Sequence, residues 1–282
     1  KTESDTEVLL MLWEKYGPSS LDMLKGMFAF IIFDELKDDM YICRDRFGIK
    51  PIYYFKSENF FIFSSEIKPI LSYLKYYKPN LKAIKSYLVD YLYDHTNETF
   101  FDNILKVEQG SFIKINIKSQ EWKIKKWYDL SSKIKNFNRI NYIECKTELK
   151  KLIEKSISEH LVSDTKIGLN ISGGVDSSIL STFTQNKSKV EKYFHQNYPH
   201  TSEKEWIREL GVIDRTKFIN LSGNKIFSII EEITHSQEEP FGGIMVCGFD
   251  YLYKVVKKNN IKVMIDGNGL DELLCGYSKY LD

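Results

Sequence analysis

The densest chemistry in the sequence lies in the string Ile171-Ser172-Gly173-Gly174-Val175-Asp176-Ser177-Ser178, between an apolar run and a helical stretch. Two adjacent glycines let the backbone turn tightly and present consecutive N–H groups. The helix that follows aims its N-terminal dipole at the same spot. Ser172, Ser177 and Ser178 add hydroxyl donors, while Asp176 would repel a phosphate, so its presence implies a bridging Mg2+. The plainer alternative is a glycine turn that caps a helix with Ser and Asp. The complete string on a strand–helix junction favours an anion cradle for a nucleotide. It lacks the Gly-Lys-Ser/Thr ending of a Walker A loop, so ordinary γ-phosphate transfer is not implied.

A second cluster follows the apolar run 261–265: Asp266-Gly267-Asn268-Gly269-Leu270-Asp271-Glu272, continuing to Gly276-Tyr277. Glycines bracket a polar residue, and paired carboxylates open a helix. At the carboxyl end of a parallel strand this is where α/β folds bind ligands. An acidic first turn on an exposed helix is the plainer reading, and it suits Glu272 better than Asp271. Glu238 and Glu239, before Pro240, read equally as part of a site or as a solvated turn. A lone histidine such as His195 is more often structural than a ligand.

These residues need elements to position them, and the hydrophobic pattern supplies two kinds. Residues 28–33, 40–43, 51–55, 60–64 and 111–117 are short β-branched or aromatic segments between turn residues, with helices near 5–16 and 81–89. Ser4 or Asp5 is the expected N-cap of the first helix. This half reads as an α+β domain with antiparallel sheets, over residues 1–130. The polar stretch 131–141 is the linker candidate. Leu149, Leu152, Ile153, Ile157 and Leu161 then mark one face of an amphipathic helix. Beyond it, strands at 167–171, 190–194, 217–221 and 261–265 alternate with helices near 177–185, 202–210, 225–235 and 247–258. That alternation predicts a parallel α/β sheet over residues 142–282.

Composition narrows the classes. Forty Lys+Arg against thirty-nine Asp+Glu give a net charge of +1, so no global field recruits nucleic acid or an anionic membrane. The longest apolar run, residues 27–33, falls far below the roughly 20 residues of a membrane span. Cys43, Cys145, Cys247 and Cys275 show no metal or redox spacing, and each is expected as a buried free thiol. With no signal-peptide-like start, the reading is a cytoplasmic protein. The chain begins at Lys1 without Met and ends at Leu281-Asp282 after what reads as an unfinished helix.

The 171–178 loop resembles the pyrophosphate loop of the ATP-pyrophosphatase superfamily. Its members include asparagine synthetases, GMP and NAD synthetases, argininosuccinate synthetase and tRNA-thiolating enzymes, which split ATP between the α and β phosphates. The 266–277 segment resembles the S-G-E-G-x-D-E-x-x-x-G-Y signature of glutamine-dependent asparagine synthetases. Glu239-Pro240-Phe241-Gly242-Gly243 and Ser202-Glu203-Lys204-Glu205-Trp206 are similar to further segments of that family. In the first half, residues 23–34, Cys43-Arg44-Asp45-Arg46-Phe47-Gly48-Ile49-Lys50-Pro51 and Phe63-Ser64-Ser65-Glu66-Ile67-Lys68 look like its class II glutamine amidotransferase domain. Gly26 and Gly48 are read as turns there, and Arg44-Asp45-Arg46 as an ion-pair network.

The resemblance implies an αββα-type amidotransferase sandwich followed by an α/β ATP-pyrophosphatase domain. ATP and Mg2+ are the implied cofactors: nucleotide on residues Ile171 to Ser178, flanked by Asp266 and Gly267, with His195 toward the adenine and metal on Asp176 and Asp271. Asp5, in Ser4-Asp5-Thr6-Glu7-Val8, is the implied ligand for the α-amino group of glutamine. The implied reaction activates a carboxylate as its adenylate, which ammonia from glutamine converts to an amide. The implied partners are small molecules (glutamine, ATP, and aspartate or another carboxylate), with no nucleic acid or membrane, and a homodimer is compatible.

Two departures follow. The family's amidotransferase acts through an N-terminal cysteine, and Lys1 aligns well inside that domain, so no nucleophile is matched. Its catalytic lysine would likewise fall after Asp282. Both sites are therefore expected to be partial, and this polypeptide alone is expected neither to hydrolyse glutamine nor to complete amide synthesis. Asn268 stands where the family usually has glutamate, and an amide cannot act as a general base. Either another group deprotonates the ammonia or the acceptor is not aspartate, as in relatives from surface-polysaccharide, lasso-peptide and β-lactam pathways. A nucleotide-binding scaffold without turnover is a further alternative.

Overall fold

Ser4 is extended and its Oγ accepts the N–H of Thr6 at 3.2 Å, so helix α1 (Asp5–Tyr16) starts at the cap its sequence provides. The structure, a computed structural model, describes residues 4–134, 141–185, 189–197, 203–220 and 222–280. It divides into two units: Lys1–Phe137 with Glu238–Pro240, and Asn138–Gln237 with Phe241–Asp282. Among the described residues no helix is long and apolar enough to cross a membrane.

Unit 1 contains two antiparallel sheets. One has the order β1 (Ala29–Asp34), β2 (Asp39–Arg44), β6 (Ser111–Asn116), β7 (Trp122–Lys126); the other has β4 (Phe61–Ser64), β3 (Tyr53–Lys56), β5 (Ile104–Lys106). Alternation along β2 shows how they stack. Tyr41 and Cys43 join Trp13 of α1, Leu21, Ile32 and Phe112 on one face. Ile42 turns the other way, with Ile113 and Ile115, onto Ile52, Tyr54 and Val107. The outer face of the smaller sheet is covered by Ile67 and Ile70 of α2 (Ile67–Leu74), packed on Ile104. Helix, sheet, sheet and helix form the expected αββα layering. Helices α3 (Leu81–Asp90) and α4 (Leu130–Ile134) complete the unit. Residues 131–134 of the expected linker are thus helical, and 135–140 lie outside the described residues.

Two expectations for side chains are corrected here, and one open alternative is decided. Arg44, Asp45 and Arg46 bond main chain instead of one another. Asp45, 1% exposed, accepts the N–H groups of Phe28, Phe47, Ile49 and Lys50 at 2.9–3.2 Å. Arg44 donates to the carbonyls of Gly48, Lys50 and Val107, and Arg46 to those of Asp22 and Leu24. Buried main-chain groups at strand ends need partners, and these three side chains supply them. Glu238 and Glu239 are not a solvated turn: the Glu238 carboxylate accepts the N–H groups of Ile67 and Lys68 at the start of α2, and Glu239 accepts that of Phe100. Of the four free cysteines, Cys43 and Cys247 are buried, whereas Cys145 and Cys275 are exposed. Their positions, on a helix with an outer face and at a helix end, leave them in solvent.

Unit 2 has one parallel sheet in the order β10 (Thr216–Asn220), β9 (Val190–Asn197), β8 (Ile167–Asn170), β11 (Val263–Ile265). Its helices are α5 (Tyr142–His160), α6 (Val175–Thr184), α7 (Lys204–Glu209), α8 (Gly223–Gln237), α9 (Ile244–Lys258) and α10 (Leu270–Leu274). Adjacent strand residues face opposite ways. Tyr193 packs with Ile167, Leu169, Leu180 of α6 and Ile207 of α7, with Ile157 of α5 alongside. Phe194 packs with Ile219 and with Leu252 and Val256 of α9. Helices therefore cover both faces, as parallel sheets require. On α5, Leu149, Ile153 and Ile157 are half-buried, but Leu152 is 54% exposed and lies off the packed face. Two positions assigned to elements from the sequence, Ser202 and Leu221, lie outside the described residues, as do Lys1, Leu281 and Asp282.

Candidate functional site

In chain order the parallel sheet runs third, second, first, fourth strand, so the connections reverse direction between β8 and β11. Loops leaving the carboxyl ends of two such strands diverge and open a crevice, the usual ligand site of open α/β sheets. The loop after β8 is 171–174 and the loop after β11 is 266–269. A cleft of about 320 Å³ opens between them, lined by Ser172, Gly174, Val175, Asp176, Ser177, Asp266, Gly267, Asn268 and Asp271, with Asn170, Gly269, Glu272 and Tyr277. Two sequence segments more than ninety residues apart meet there because the topology puts them there.

The first loop is held by its own serines. Ser177 Oγ donates to the Ser172 carbonyl at 2.8 Å and accepts the Ser172 N–H at 3.0 Å, while Ser172 Oγ accepts the Gly174 N–H at 3.2 Å. Ser178 Oγ turns back to the Gly174 carbonyl at 2.7 Å. No side chain caps α6. The N–H groups of Val175, Asp176 and Ser177 therefore stand at the helix start without the internal acceptors that later turns provide. All three residues line the cleft.

The cleft's side chains have the opposite sign. Among the described residues neither the Asp176 nor the Asp271 carboxylate has a hydrogen-bonding or cationic partner. Burial, and then the charges of Asp271 and Glu272, push the Asp176 carboxyl above its usual value. Tyr277 donates to Glu272 Oε1 at 2.7 Å, a bond that pushes the phenol up to about 12. Gly267 brings the second loop against α6: a Cβ there would lie 3.0 Å from Asp176 Cβ and 3.1 Å from the Ser177 nitrogen. The Asn268 N–H is tied to Asp266 Oδ1 at 3.2 Å, leaving its exposed amide at the cleft's edge.

Among the described residues no group of three or more His, Cys, Asp or Glu side chains is arranged to hold a metal ion. A pair of carboxylates under mutual repulsion fits a different case, a Mg2+ held by one or two carboxylates and completed by phosphate oxygens and water. The donor set suits that ion.

Other expected residues stand apart from the cleft. Ile171 is buried, its N–H bonded to the Phe194 carbonyl at 2.9 Å, and His195 is only 2% exposed. His195 Nδ1 lies 2.8 Å from the Ile171 carbonyl, which can only accept, so that nitrogen carries the proton. The ring braces the loop from beneath and does not line the cleft. Gly173 and Ser178 are also outside the lining. Asp5 lies in unit 1, in a separate depression of about 540 Å³ lined also by Lys25, Phe28, Lys50 and Ser65. Tyr277 and Glu203 carry contacts that sequence reasoning gave no role. Tyr277 was visible as the last residue of its motif and Glu203 within the acidic segment 202–206, but nothing local paired Glu203 with a loop thirty residues away.

Comparison with known proteins finds two families matched in succession. A glutamine amidotransferase domain family matches residues 1–128, and an asparagine synthase family matches residues 148–282. A glutamine-hydrolysing asparagine synthetase of Bacillus subtilis is 30% identical over 304 aligned residues, which cover 100% of this chain and 40% of that protein. Asparagine synthetase B of Escherichia coli is 26% identical, over 98% of this chain and 48% of its own length. An amidase of Gibberella zeae is 25% identical, over 98% and 44%. The chain thus spans about half the length of these relatives or somewhat less. Both domains are matched, in this order and over nearly every residue, and the chain belongs to the glutamine-dependent asparagine synthetase family.

Proposed function

We propose that this chain is part of an ATP-dependent amide ligase of asparagine synthetase type, which turns aspartate into asparagine through β-aspartyl-AMP with ammonia drawn from glutamine. One observation carries the reading: donor N–H groups of α6 and the unpartnered carboxylates Asp176 and Asp271 face one cleft at the switch point of a parallel sheet. The β and γ phosphates of ATP take the N–H groups of Val175, Asp176 and Ser177 with the Ser172 hydroxyl. Asp176 and Asp271 would hold Mg2+, which when bound neutralises charge on the pyrophosphate. The acceptor carboxylate attacks the α-phosphorus, the bond to the bridging oxygen breaks, and pyrophosphate leaves. Fixed N–H groups stabilise that leaving charge without reorganising. Ammonia then attacks the acyl carbon and AMP departs. In unit 1, Asp5 is the proposed ligand for the α-amino group of glutamine.

A second reading, amidation of a different carboxylate, is favoured by Asn268 at the cleft's edge, since its amide accepts no proton from incoming ammonia. AMP formation from ATP, ammonium and a panel of carboxylates, measured on the longer ligase of which this chain is proposed to be part, separates the two. Aspartate-dependent AMP and asparagine support the first reading. AMP with another carboxylate, aspartate being inert, replaces it with the second, and ATP binding with no AMP from any carboxylate overturns both.

A further inference from the structure

We propose that unit 1 carries a binding site for a free α-amino acid with an apolar side chain, in a depression where Tyr54, Lys56 and Asp102 meet its polar and charged groups. The depression, of about 280 Å³, shares no residue with the cleft between the β8 and β11 loops or with the Asp5 depression. The inference therefore stands apart from the proposed reaction.

Tyr54 is the residue that points to a ligand. It is 8% exposed, and among the described residues its hydroxyl has no hydrogen-bonding partner. Burial alone raises the phenol above its ordinary value. Tyr193 also has an unpartnered hydroxyl, but that one is sealed inside unit 2, whereas the Tyr54 hydroxyl is not sealed and its residue lines the depression. A largely buried hydroxyl without a partner costs free energy, and one that opens on a cavity is placed to bond what enters it. The walls are fixed by the fold. Register pairs Tyr54 of β3 with Leu105 of β5, so the two side chains share a face. Trp122 of β7 lines the depression from the other sheet, 5.5 Å from the Tyr54 ring and stacked on Phe61 at 5.2 Å.

The rim carries both signs of charge. Lys56, two residues beyond Tyr54 and on the same face of β3, holds its ammonium 4.8 Å from the Trp122 ring centroid. Asp102 accepts a hydrogen bond from Asn103 Nδ2 at 3.1 Å. Both line the depression, yet among the described residues neither has an ion-pair partner, and they do not pair with each other. Glu98, the other acid of the rim, is already bonded to Lys82 at 3.0 Å. An anion alone would be drawn to Lys56 and repelled by Asp102, and a cation alone the reverse. A ligand with both charges satisfies both residues. Its carboxylate takes the Lys56 ammonium and the Tyr54 O–H, its ammonium takes Asp102, and its apolar side chain lies against Leu105 and the two rings.

L-leucine is the probe, since it is no substrate of the proposed reaction. Its binding to the chain is measured by titration calorimetry beside L-leucinamide, which lacks the carboxylate, and isocaproate, which lacks the ammonium. The chain is expected to bind L-leucine saturably, and each analogue at least about tenfold more weakly. Tyr54→Phe removes the hydroxyl and keeps the ring packing. It should weaken L-leucine about tenfold with circular dichroism unchanged. Asp102→Asn, on the exposed rim, should weaken it by a similar factor, and that loss should shrink as salt is added. Three results overturn the inference and leave the proposed function untouched: no saturable binding of L-leucine by the parent, an affinity that Tyr54→Phe or Asp102→Asn leaves unchanged, or an analogue that binds as tightly as L-leucine.

Discussion

Asp45 in unit 1 directly follows β2, and Asp176 in unit 2 opens α6 after the glycine loop that leaves β8; the first is buried and the second half-buried. Asp45 collects four main-chain N–H groups and is 1% exposed. Asp176 has no partner among the described residues and faces two other negative charges. One carboxylate stabilises the fold by completing buried hydrogen bonds; the other is left in a state that a cation and phosphate would improve. Satisfied polar groups mark architecture, and unsatisfied ones that converge on a cleft mark chemistry.

The comparison breaks most visibly at Asp45. Asp45→Ala leaves several buried N–H groups without acceptors, and the expected cost is about 3 kcal/mol or more, read from the urea midpoint of unit 1. A loss under about 0.5 kcal/mol would mean that water replaces the carboxylate and that the turn is no more structural than the cradle.

A smaller effect on the same side lies at Asp39. Burial acts to raise its carboxyl, but the hydrogen bonds from Lys114 and Asn116 outweigh it, and the net value lies below an ordinary carboxylate. The same bond raises the Lys114 amine. The folded state therefore holds the Asp39 proton less tightly than the unfolded chain does. Its stabilisation is present above the ordinary value of about 3.9 and is lost as pH falls through the lowered one. For Lys114 the sign is reversed: stabilisation is present below about 10.4 and lost as pH rises through the raised value. Asp39→Asn should flatten the acid limb below about pH 5 by no more than about 1 kcal/mol, because Lys114 is partly in solvent. An acid limb of parental depth in the variant would assign it to other groups.

Much of this was legible in the sequence, for reasons that can be stated. Helix α1 was readable from its cap, and β8 and β9 from short segments alternating with helical stretches. The two loops of the cleft were readable because Ser-Gly-Gly-Val-Asp-Ser-Ser and Asp-Gly-Asn-Gly-Leu-Asp-Glu, each between an apolar run and a helical stretch, have few other uses. Strand β7 was missed because Trp122-Lys123-Ile124-Lys125-Lys126 is an edge strand guarded by lysines, which hides its alternation. The fate of Glu238 and Glu239 was equally hidden. Their partners, Ile67, Lys68 and Phe100, lie about 140 to 170 positions earlier in the chain, as the sequence separations show, and nothing local marks them. Arg44-Asp45-Arg46 was misread because alternating charges suggest ion pairs, whereas the need of buried main chain for partners decides the matter. Gly173 was seen as a turn residue, yet its hydrogen bond to Glu203 depends on a loop that composition alone could not pair with it.

The central claim, that the cleft between the β8 and β11 loops takes ATP on unpartnered carboxylates and helix N–H groups, is tested most directly by calorimetric titration of ATP with Mg2+ into the chain and into Asp176→Asn. The parent should bind, and Asp176→Asn should lose at least about tenfold in affinity while its thermal stability stays within about 0.5 kcal/mol of the parent or rises, since a repelled charge has been removed. Equal affinity in the two proteins, or a loss of stability as large as that of Asp45→Ala, would contradict it.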